Sequence, residues 1–297
     1  MLEQFTECCG RAGLVGAGVL LSNTSRRGHK SAKFDVVRKP LQGCRGFCLL
    51  SLLMLLATGC GTVPDLETSR RFQGAEETFA TAKSADDFVQ AAAQFQEVLD
   101  GGFQSGSVYY NQGNAWMQAG QTGRAIAAYR LAQRSLPRDP YLAANLRQAL
   151  VKSGNAEANG KSILDYVFFW QNSLSYSEKA WLVTLLLICV LLLALAGQLV
   201  SFQTELKRIN ACVAVVLVLA AVSVARDWSQ IELTKHGAIV ASTVARKGGA
   251  DSYEPAFNQS LVDGTEFVVM SEQSDWLQIQ VVGIGAGWVP VRNCVTY

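Results

Sequence analysis

The side chains best suited to binding a metal or transferring protons are few in this chain and far apart. Of its eight cysteines and two histidines, Cys44 and Cys48 have the spacing of a zinc ligand pair, but no second pair follows them. His29 and His236 belong to no motif that pairs a histidine with a carboxylate. The sequence contains neither a nucleophile elbow nor a Walker loop. It therefore predicts a protein that is not an enzyme and that uses no metal or cofactor.

Cys60 is the one residue whose context indicates covalent modification. The apolar stretch Phe47–Ala57 follows several basic residues and ends shortly before Cys60. Basic residues, a short apolar stretch and small residues before a cysteine resemble a bacterial lipoprotein signal, in which cleavage leaves the Cys60 thiol to carry a diacylglycerol. An ordinary signal peptide, or an uncleaved anchor in which Cys60 is incidental, remains the alternative. The first 35 residues are long for such a signal, which favours a translation start near Val36 or Val37.

Two uninterrupted apolar runs, Ala180–Val200 and Ile209–Ala225, predict a pair of membrane-spanning helices. About 20 helical residues span the ~30 Å hydrocarbon core of a bilayer. The short connection between the runs makes them a hairpin, and Lys207 and Arg208 within it favour the cytoplasmic side for that connection. Buried core helices are the alternative, but neither run has a polar face and no flanking segment could enclose both.

The segment from Gly106 to Pro137 closely resembles a tetratricopeptide repeat, which is a pair of antiparallel helices. Its markers are bulky inner-face residues, small residues at the helix crossing, glycines at the turn and a terminal proline: Tyr109, Gly113, Trp116, Gly120, Gly123, Ala125, Tyr129, Leu136 and Pro137. Phe79, Ala91 and Phe95 fit an upstream repeat if the turn Lys83–Asp87 is longer than usual. Leu142, Leu146 and Leu150 form an apolar stripe that suits a capping helix. Two repeats and a cap are a sensible minimum, because a single repeat cannot bury its own faces.

The first helix of such a repeat lines a concave groove. Tyr110, Asn114 and Met117 are the residues that the repeat pattern directs into this groove. Asparagine side chains in these grooves commonly bind the backbone of an extended peptide, which makes the three residues a candidate peptide-binding site. The alternative is that Asn114 only satisfies a neighbouring helix.

The last part of the chain changes to short β segments separated by turns. Predicted strands lie at 238–241, 266–270, 276–282 and 287–291, with turns at Asp263-Gly264 and Gly283–Gly287. The order of these segments resembles a bacterial SH3-like domain. Trp276 and Trp288 either pack the interior of this small barrel or form a surface that binds a ligand.

These patterns together predict a multidomain membrane protein: an all-α tetratricopeptide-repeat domain, a two-helix membrane hairpin and an all-β SH3-like barrel. The predicted boundaries are a leader at 1–59, linkers at 60–74 and 155–179, the repeat domain at 75–154, spans at 180–200 and 209–225, and the SH3-like domain at 235–297. The hydrophobic content of 49% fits a chain that lies partly in lipid, and the net charge of +2 gives no indication of nucleic-acid binding.

The order of signal, repeat, hairpin and SH3-like domain resembles the BatE family of the Bacteroides aerotolerance operon. The most specific stretch runs from Gly106 to Leu146 and includes Gln121-Thr-Gly-Arg-Ala-Ile. The resemblance implies a location in the bacterial inner membrane. It also implies a partner role beside von Willebrand factor A-domain membrane proteins and a MoxR-type ATPase, in a system linked to envelope stress and oxygen tolerance.

Two functions remain open at this point. The first is a non-enzymatic membrane scaffold whose two soluble domains both lie outside the cytoplasm and bind other proteins. The second is a module that binds cell-wall peptide or glycan (peptidoglycan) through the SH3-like domain. Copurifying membrane proteins would favour the scaffold, whereas retention on peptidoglycan would favour the wall-binding module.

Overall fold

The computed structural model describes residues 65–154, 169–199 and 203–297. Cys60, the predicted leader, and residues 60–64 and 155–168 of the two predicted linkers lie outside these residues. The amino-terminal part consists of five helices: α1 (Leu66–Thr81), α2 (Ala85–Asp100), α3 (Gly106–Gln118), α4 (Thr122–Ser135) and α5 (Pro140–Lys152). Each helix packs against the next one along the chain. The first helix begins at Leu66, inside the segment 60–74 that was predicted to be a linker, because Asp65 caps it by accepting a hydrogen bond from the Thr68 amide.

The first two helix pairs have turns of equal length. Residues 82–84 connect α1 to α2, and residues 119–121 connect α3 to α4. The longer turn predicted at Lys83–Asp87 is therefore wrong: Ser84 and Asp87 form a capping box that starts α2 at Ala85. The additional residues lengthen the helices instead, since α1 and α2 have 16 residues each whereas α3 and α4 have 13 and 14.

The crossing of α3 and α4 depends on small residues, as the sequence predicted. A Cβ atom added to Gly113 would lie 2.6 Å from the ring of Tyr129, so only glycine allows this approach. Ala125 is fully buried at the same crossing. The two core clusters here combine aromatic and aliphatic side chains: Ile126, Tyr129, Leu142, Leu146 and Leu150 in one, and Phe95, Val98, Leu99 and Val108 in the other.

Two long apolar helices follow the short helix α6 (Phe169–Ser173): α7 (Tyr176–Leu199) and α8 (Gln203–Leu233). They pack side by side in antiparallel orientation, with Lys179 beside Asp227 at one end and Gly197 beside Leu206 at the other. Both are long and apolar enough to cross a membrane, and only 6% of the apolar window of each is buried. Core helices of a soluble protein would be mostly buried. The second helix extends beyond Ala225, where the apolar run ends, to Leu233.

The carboxy-terminal part is a five-stranded antiparallel sheet in the order β4-β3-β2-β1-β5. Its strands are β1 (His236–Ile239), β2 (Glu266–Gln273), β3 (Trp276–Val281), β4 (Gly285–Pro290) and β5 (Cys294–Thr296). The sequence analysis missed β5, which pairs with β1 after a short 3-10 helix. The turn predicted at Gly283–Gly287 is shorter, because β4 already begins at Gly285. The core of this part is aliphatic with one aromatic ring: Ile239, Ala245, Leu261, Phe267, Leu277, Ile279, Val281 and Val289.

Candidate functional site

The helical part and the sheet meet at the first turn of α4. A helix begins with backbone N–H groups that have no hydrogen-bond acceptor within the helix. Gln121, at the N-cap position, does not provide an acceptor from its side chain. The carboxylate of Asp263 fills this role from the turn before β2. It accepts hydrogen bonds from the amides of Thr122 at 3.0 Å and Gly123 at 2.9 Å. Its negative charge also lies at the positive end of the helix dipole.

Two glycines allow the backbones to approach closely at this junction. A Cβ atom on Gly123 would lie 1.9 Å from the backbone oxygen of Ile239 in β1. Gly264 has a φ of +90°, and a Cβ atom there would lie 2.4 Å from the Ser153 side chain at the end of α5. The sequence analysis assigned Gly123 to a turn. The structure shows that it also provides the contact surface for the sheet.

An ion pair holds the middle of α4 against the sheet. The Arg130 guanidinium donates to both carboxylate oxygens of Glu266, at 2.8 and 3.0 Å, and the Tyr297 hydroxyl donates to the same carboxylate at 2.7 Å. Burial by itself would raise the pKa of Glu266, but the hydrogen bonds and charge of Arg130, together with the Tyr297 hydrogen bond, hold it below its usual value. Burial raises the pKa of Tyr297, so its hydroxyl remains a donor at neutral pH.

A second polar cluster joins the two apolar helices at one end of their apolar runs. The Lys179 ammonium, whose side chain is 3% exposed, donates to Asp227 at 2.6 Å and to the backbone oxygen of Gln171 at 2.7 Å. The Gln171 side chain bonds both Asp227 and Ser223. Arg138, which follows α4, pairs with Glu178 at the start of α7. These contacts place the helix stack at the same end of the hairpin as the sheet.

A cleft of about 670 Å³ lies where the three parts meet. Its lining includes ionisable groups from α4, from the hairpin and from the sheet: Arg130, Arg134, Lys179, Asp227, His236 and Glu266. Burial, followed by the charges of Arg134 and Arg130, lowers the pKa of His236 despite the opposing effect of Glu266. Among the described residues, no group of three histidine, cysteine or carboxylate side chains could hold a metal ion.

The three residues predicted to line the groove are neighbours in the structure, and all are half-buried. The Asn114 side-chain oxygen accepts hydrogen bonds from the Tyr129 hydroxyl and from the Asn145 amide, both at 2.9 Å. Asn145 also donates to the Tyr110 hydroxyl at 3.1 Å. Tyr110 and Met117 pack against the core between α4 and α5. Asn114 thus has the internal role considered as the alternative, while its side-chain NH₂ makes no hydrogen bond within the described part of the chain.

The two candidate tryptophans lie outside the sheet core. Side chains of β3 alternate between the core and the opposite face, and Trp276 shares that opposite face with Gln278. Trp288 in β4 pairs with Gln278, and both tryptophans are half-buried. Gly249, in a preceding loop, lies close to both rings. The two tryptophans are therefore not part of the sheet core, and a ligand-binding role for them stays a prediction.

Comparison of the chain with protein-family models, with curated proteins and with solved structures finds no match.

Replacing Asp263 by alanine is expected to lower the free energy of unfolding by about 0.5–2 kcal/mol, the usual effect of removing an N-cap side chain. Two amides of α4 lose their acceptor, and the helical part loses a contact with the sheet. Thermal unfolding of the purified chain in mild detergent, followed by circular dichroism, measures the change. Asp251→Ala is the control, because Asp251 lies exposed in a loop. Equal effects of the two variants would contradict the capping role.

Acidification should weaken the docking of α4 on the sheet. A carboxylate whose pKa is depressed in the folded state contributes stability above its unfolded pKa of about 4.3, and this stability is lost as the pH falls through the folded pKa. Denaturant unfolding from neutral pH to about pH 3 should therefore show a loss that Glu266→Gln reduces. An identical pH dependence in the wild type and Glu266→Gln would show that Glu266 is not responsible.

Proposed function

We propose that the chain is a non-enzymatic scaffold, anchored in a bacterial inner membrane by the α7–α8 hairpin and binding other envelope proteins through its soluble parts. The observation that carries the proposal is the exposure of the hairpin, because only 6% of each apolar window is buried. The remaining apolar surface of both helices suits contact with lipid. Large aliphatic side chains cover this surface: Leu182, Leu185, Leu192, Leu195, Val215, Val218, Leu219 and Val222.

The two soluble parts belong on one side of this membrane. A hairpin returns the chain to the side from which it started, and contacts at Asp263 and Glu266 join the two parts there. Lys207 and Arg208 at the other end favour the cytoplasm for that end. Both soluble parts are therefore assigned to the extracytoplasmic side. A phosphatase reporter active only outside the cytoplasm, fused after Tyr297, should be active, and activity only of a cytoplasmic fluorescent reporter there would overturn the assignment.

Within this proposal the helical part is a tetratricopeptide-repeat domain and the sheet is an SH3-like domain. Equal three-residue turns, the Gly113–Tyr129 crossing and the capping position of α5 support the first assignment. The small antiparallel sheet with an aliphatic core supports the second. Their partners, by the resemblance to the BatE family, are von Willebrand factor A-domain membrane proteins and a MoxR-type ATPase system. Lipidation at Cys60 would add a second anchor.

The surface that binds a partner is proposed to include Tyr110, Asn114 and Met117. The side-chain NH₂ of Asn114 is a donor that a peptide carbonyl can accept, and the hydrogen bonds to its oxygen fix its direction. Purification of the full chain in mild detergent should recover partner membrane proteins. Asn114→Ala should reduce this recovery, whereas Asn258→Ala, which changes an exposed loop residue, should not. Full recovery with Asn114→Ala would exclude this surface.

Binding of cell-wall peptide or glycan is the second candidate function. It is favoured by the position of Trp276 and Trp288 on the face of the sheet away from its core. Both side chains are half-buried, and the accessible part of an aromatic ring can stack against a sugar or a peptide. Retention of the full chain on purified peptidoglycan, lost in Trp276→Ala and kept in Tyr253→Ala, would support this function over the scaffold.

A further inference from the structure

The floor of the 670 Å³ cleft lies at the boundary of the proposed membrane segment. Tyr176 and Lys179 precede the first apolar run, and Gln230 and Ile231 follow the second; all four line the cleft. Trp181 and Trp228 are 50% and 53% exposed near the same end of the hairpin. Exposed tryptophans at a helix end are typical of the lipid headgroup level. The cleft therefore opens where phospholipid headgroups lie.

The charges of the cleft are unequally balanced. Arg130 pairs with Glu266, and Lys179 pairs with Asp227. Arg134 also lines the cleft, on α4 one turn beyond Arg130, and it forms no ion pair within the described residues. Its guanidinium is a planar donor that suits the two oxygens of a phosphate.

The rest of the lining suits a molecule that is polar at one end and apolar at the other. Val282 is 87% exposed and contributes an aliphatic wall beside the sheet. Leu174 and Ile231 provide apolar surface near the hairpin, and Gln133 and Gln230 provide amides. An anionic phospholipid has this distribution of polar and apolar groups, and it is present at this depth of a bilayer at high local concentration.

We propose that the cleft binds the headgroup of an anionic phospholipid, with its phosphate beside Arg134 and its glycerol end toward Tyr176 and Ile231. The inference depends on the membrane location proposed above. A bound lipid would contact α4, the hairpin and the sheet together, and would stabilise their relative arrangement at the membrane surface.

The test uses the full chain in nanodiscs that contain phosphatidylcholine and phosphatidylglycerol. Native mass spectrometry counts the lipids that remain bound after the protein is released from the nanodisc. The wild type should retain phosphatidylglycerol in preference to phosphatidylcholine. Arg134→Gln should reduce this preference about fivefold, the factor expected for one arginine near an anionic surface. Arg147→Gln is the matched control, because Arg147 is an exposed arginine on α5 that does not line the cleft. An unchanged preference in Arg134→Gln would overturn the proposal.

Two further measurements separate the competing outcomes. Soluble glycerol phosphate shares the headgroup chemistry, so its binding to the full chain is measured beside the lipid preference. If glycerol phosphate binds in a way that requires Arg134 while phosphatidylglycerol is not preferred in nanodiscs, the cleft is a site for a free phosphate compound and the lipid assignment is overturned. Carbonate extraction of the wild type reports on the membrane anchor alone. Release of the wild type into the soluble fraction would refute the anchor, whereas a retained protein without lipid preference would refute only the headgroup site.

Discussion

Leu192→Arg is expected to release a large fraction of the protein from the membrane. Leu192 lies near the middle of the first apolar run, and its side chain is 60% exposed on the surface of α7 that lipid would cover. Insertion scales assign about +2.5 to +3.5 kcal/mol to arginine at the centre of a membrane helix and roughly −0.5 kcal/mol to leucine. The net change of about 3–4 kcal/mol exceeds what several neighbouring leucines contribute. Carbonate extraction of membranes, with immunodetection of the pellet and supernatant, measures the released fraction.

Two controls distinguish insertion from general destabilisation. Leu192→Ile keeps the apolar character of the position and should remain in the pellet. Met270→Arg places the same new charge on an exposed residue of β2, outside both spans and outside the cleft, and should also remain. If Leu192→Arg stays in the pellet as fully as these controls, α7 is not a lipid-facing helix and the anchor proposal fails.

The two apolar helices could be predicted because their signal is local. The apolar composition of a run such as Ala180–Val200 is sufficient to predict a lipid environment. In the structure this run is exposed, as a membrane helix requires. The carboxyl end of α8 could not be placed in the same way. Residues 226–233 include polar side chains and follow the apolar run, yet the helix continues to Leu233, and Asp227 in this extension pairs with Lys179 on α7.

The junction between the helical part and the sheet was not predicted, because its partners are about 140 residues apart along the chain. Spacing within a repeat reports contacts between adjacent helices, and Gly123 fits such a role as a turn residue. One sequence feature did point to the junction. Helix α4 begins after Gln121, without the serine, threonine or aspartate that normally caps a helix, and Asp263 supplies the missing carboxylate.

Sequence patterns identified the candidate binding residues but not the hydrogen bonds that these residues make within the protein. The repeat pattern brought Tyr110, Asn114 and Met117 to one surface, and the structure places them together. It could not show that Asn145 and Tyr129 already use the Asn114 oxygen, since hydrogen-bond direction depends on side-chain positions of three helices. For Trp276, strand alternation in β3 was sufficient to separate the core from the outer face once Leu277 and Ile279 were known to be buried.

Asp227→Ala is expected to lower the free energy of unfolding of the hairpin and its connection to the soluble parts by about 3–5 kcal/mol. This is the usual effect of removing one partner of a buried ion pair. The Lys179 side chain is only 3% exposed, and without Asp227 its ammonium keeps the Gln171 backbone oxygen as its hydrogen-bond partner. Gln171 would lose a bond as well. Thermal unfolding in mild detergent, followed by intrinsic tryptophan fluorescence, should show a lower transition temperature.

The double variant Lys179→Met/Asp227→Leu separates the cost of an unpaired charge from the loss of the pair itself. Replacing both members of a buried pair by apolar residues is often neutral or stabilising, so the double variant should recover most of the stability lost in Asp227→Ala. Exposed pairs behave differently: Glu205→Ala, which removes the partner of Arg208 in a pair whose side chains are 65% and 72% exposed, should change stability by at most about 1 kcal/mol. If Asp227→Ala has as small an effect as Glu205→Ala, water reaches Lys179 and the polar cluster at the membrane boundary is not a closed contact between the two helices.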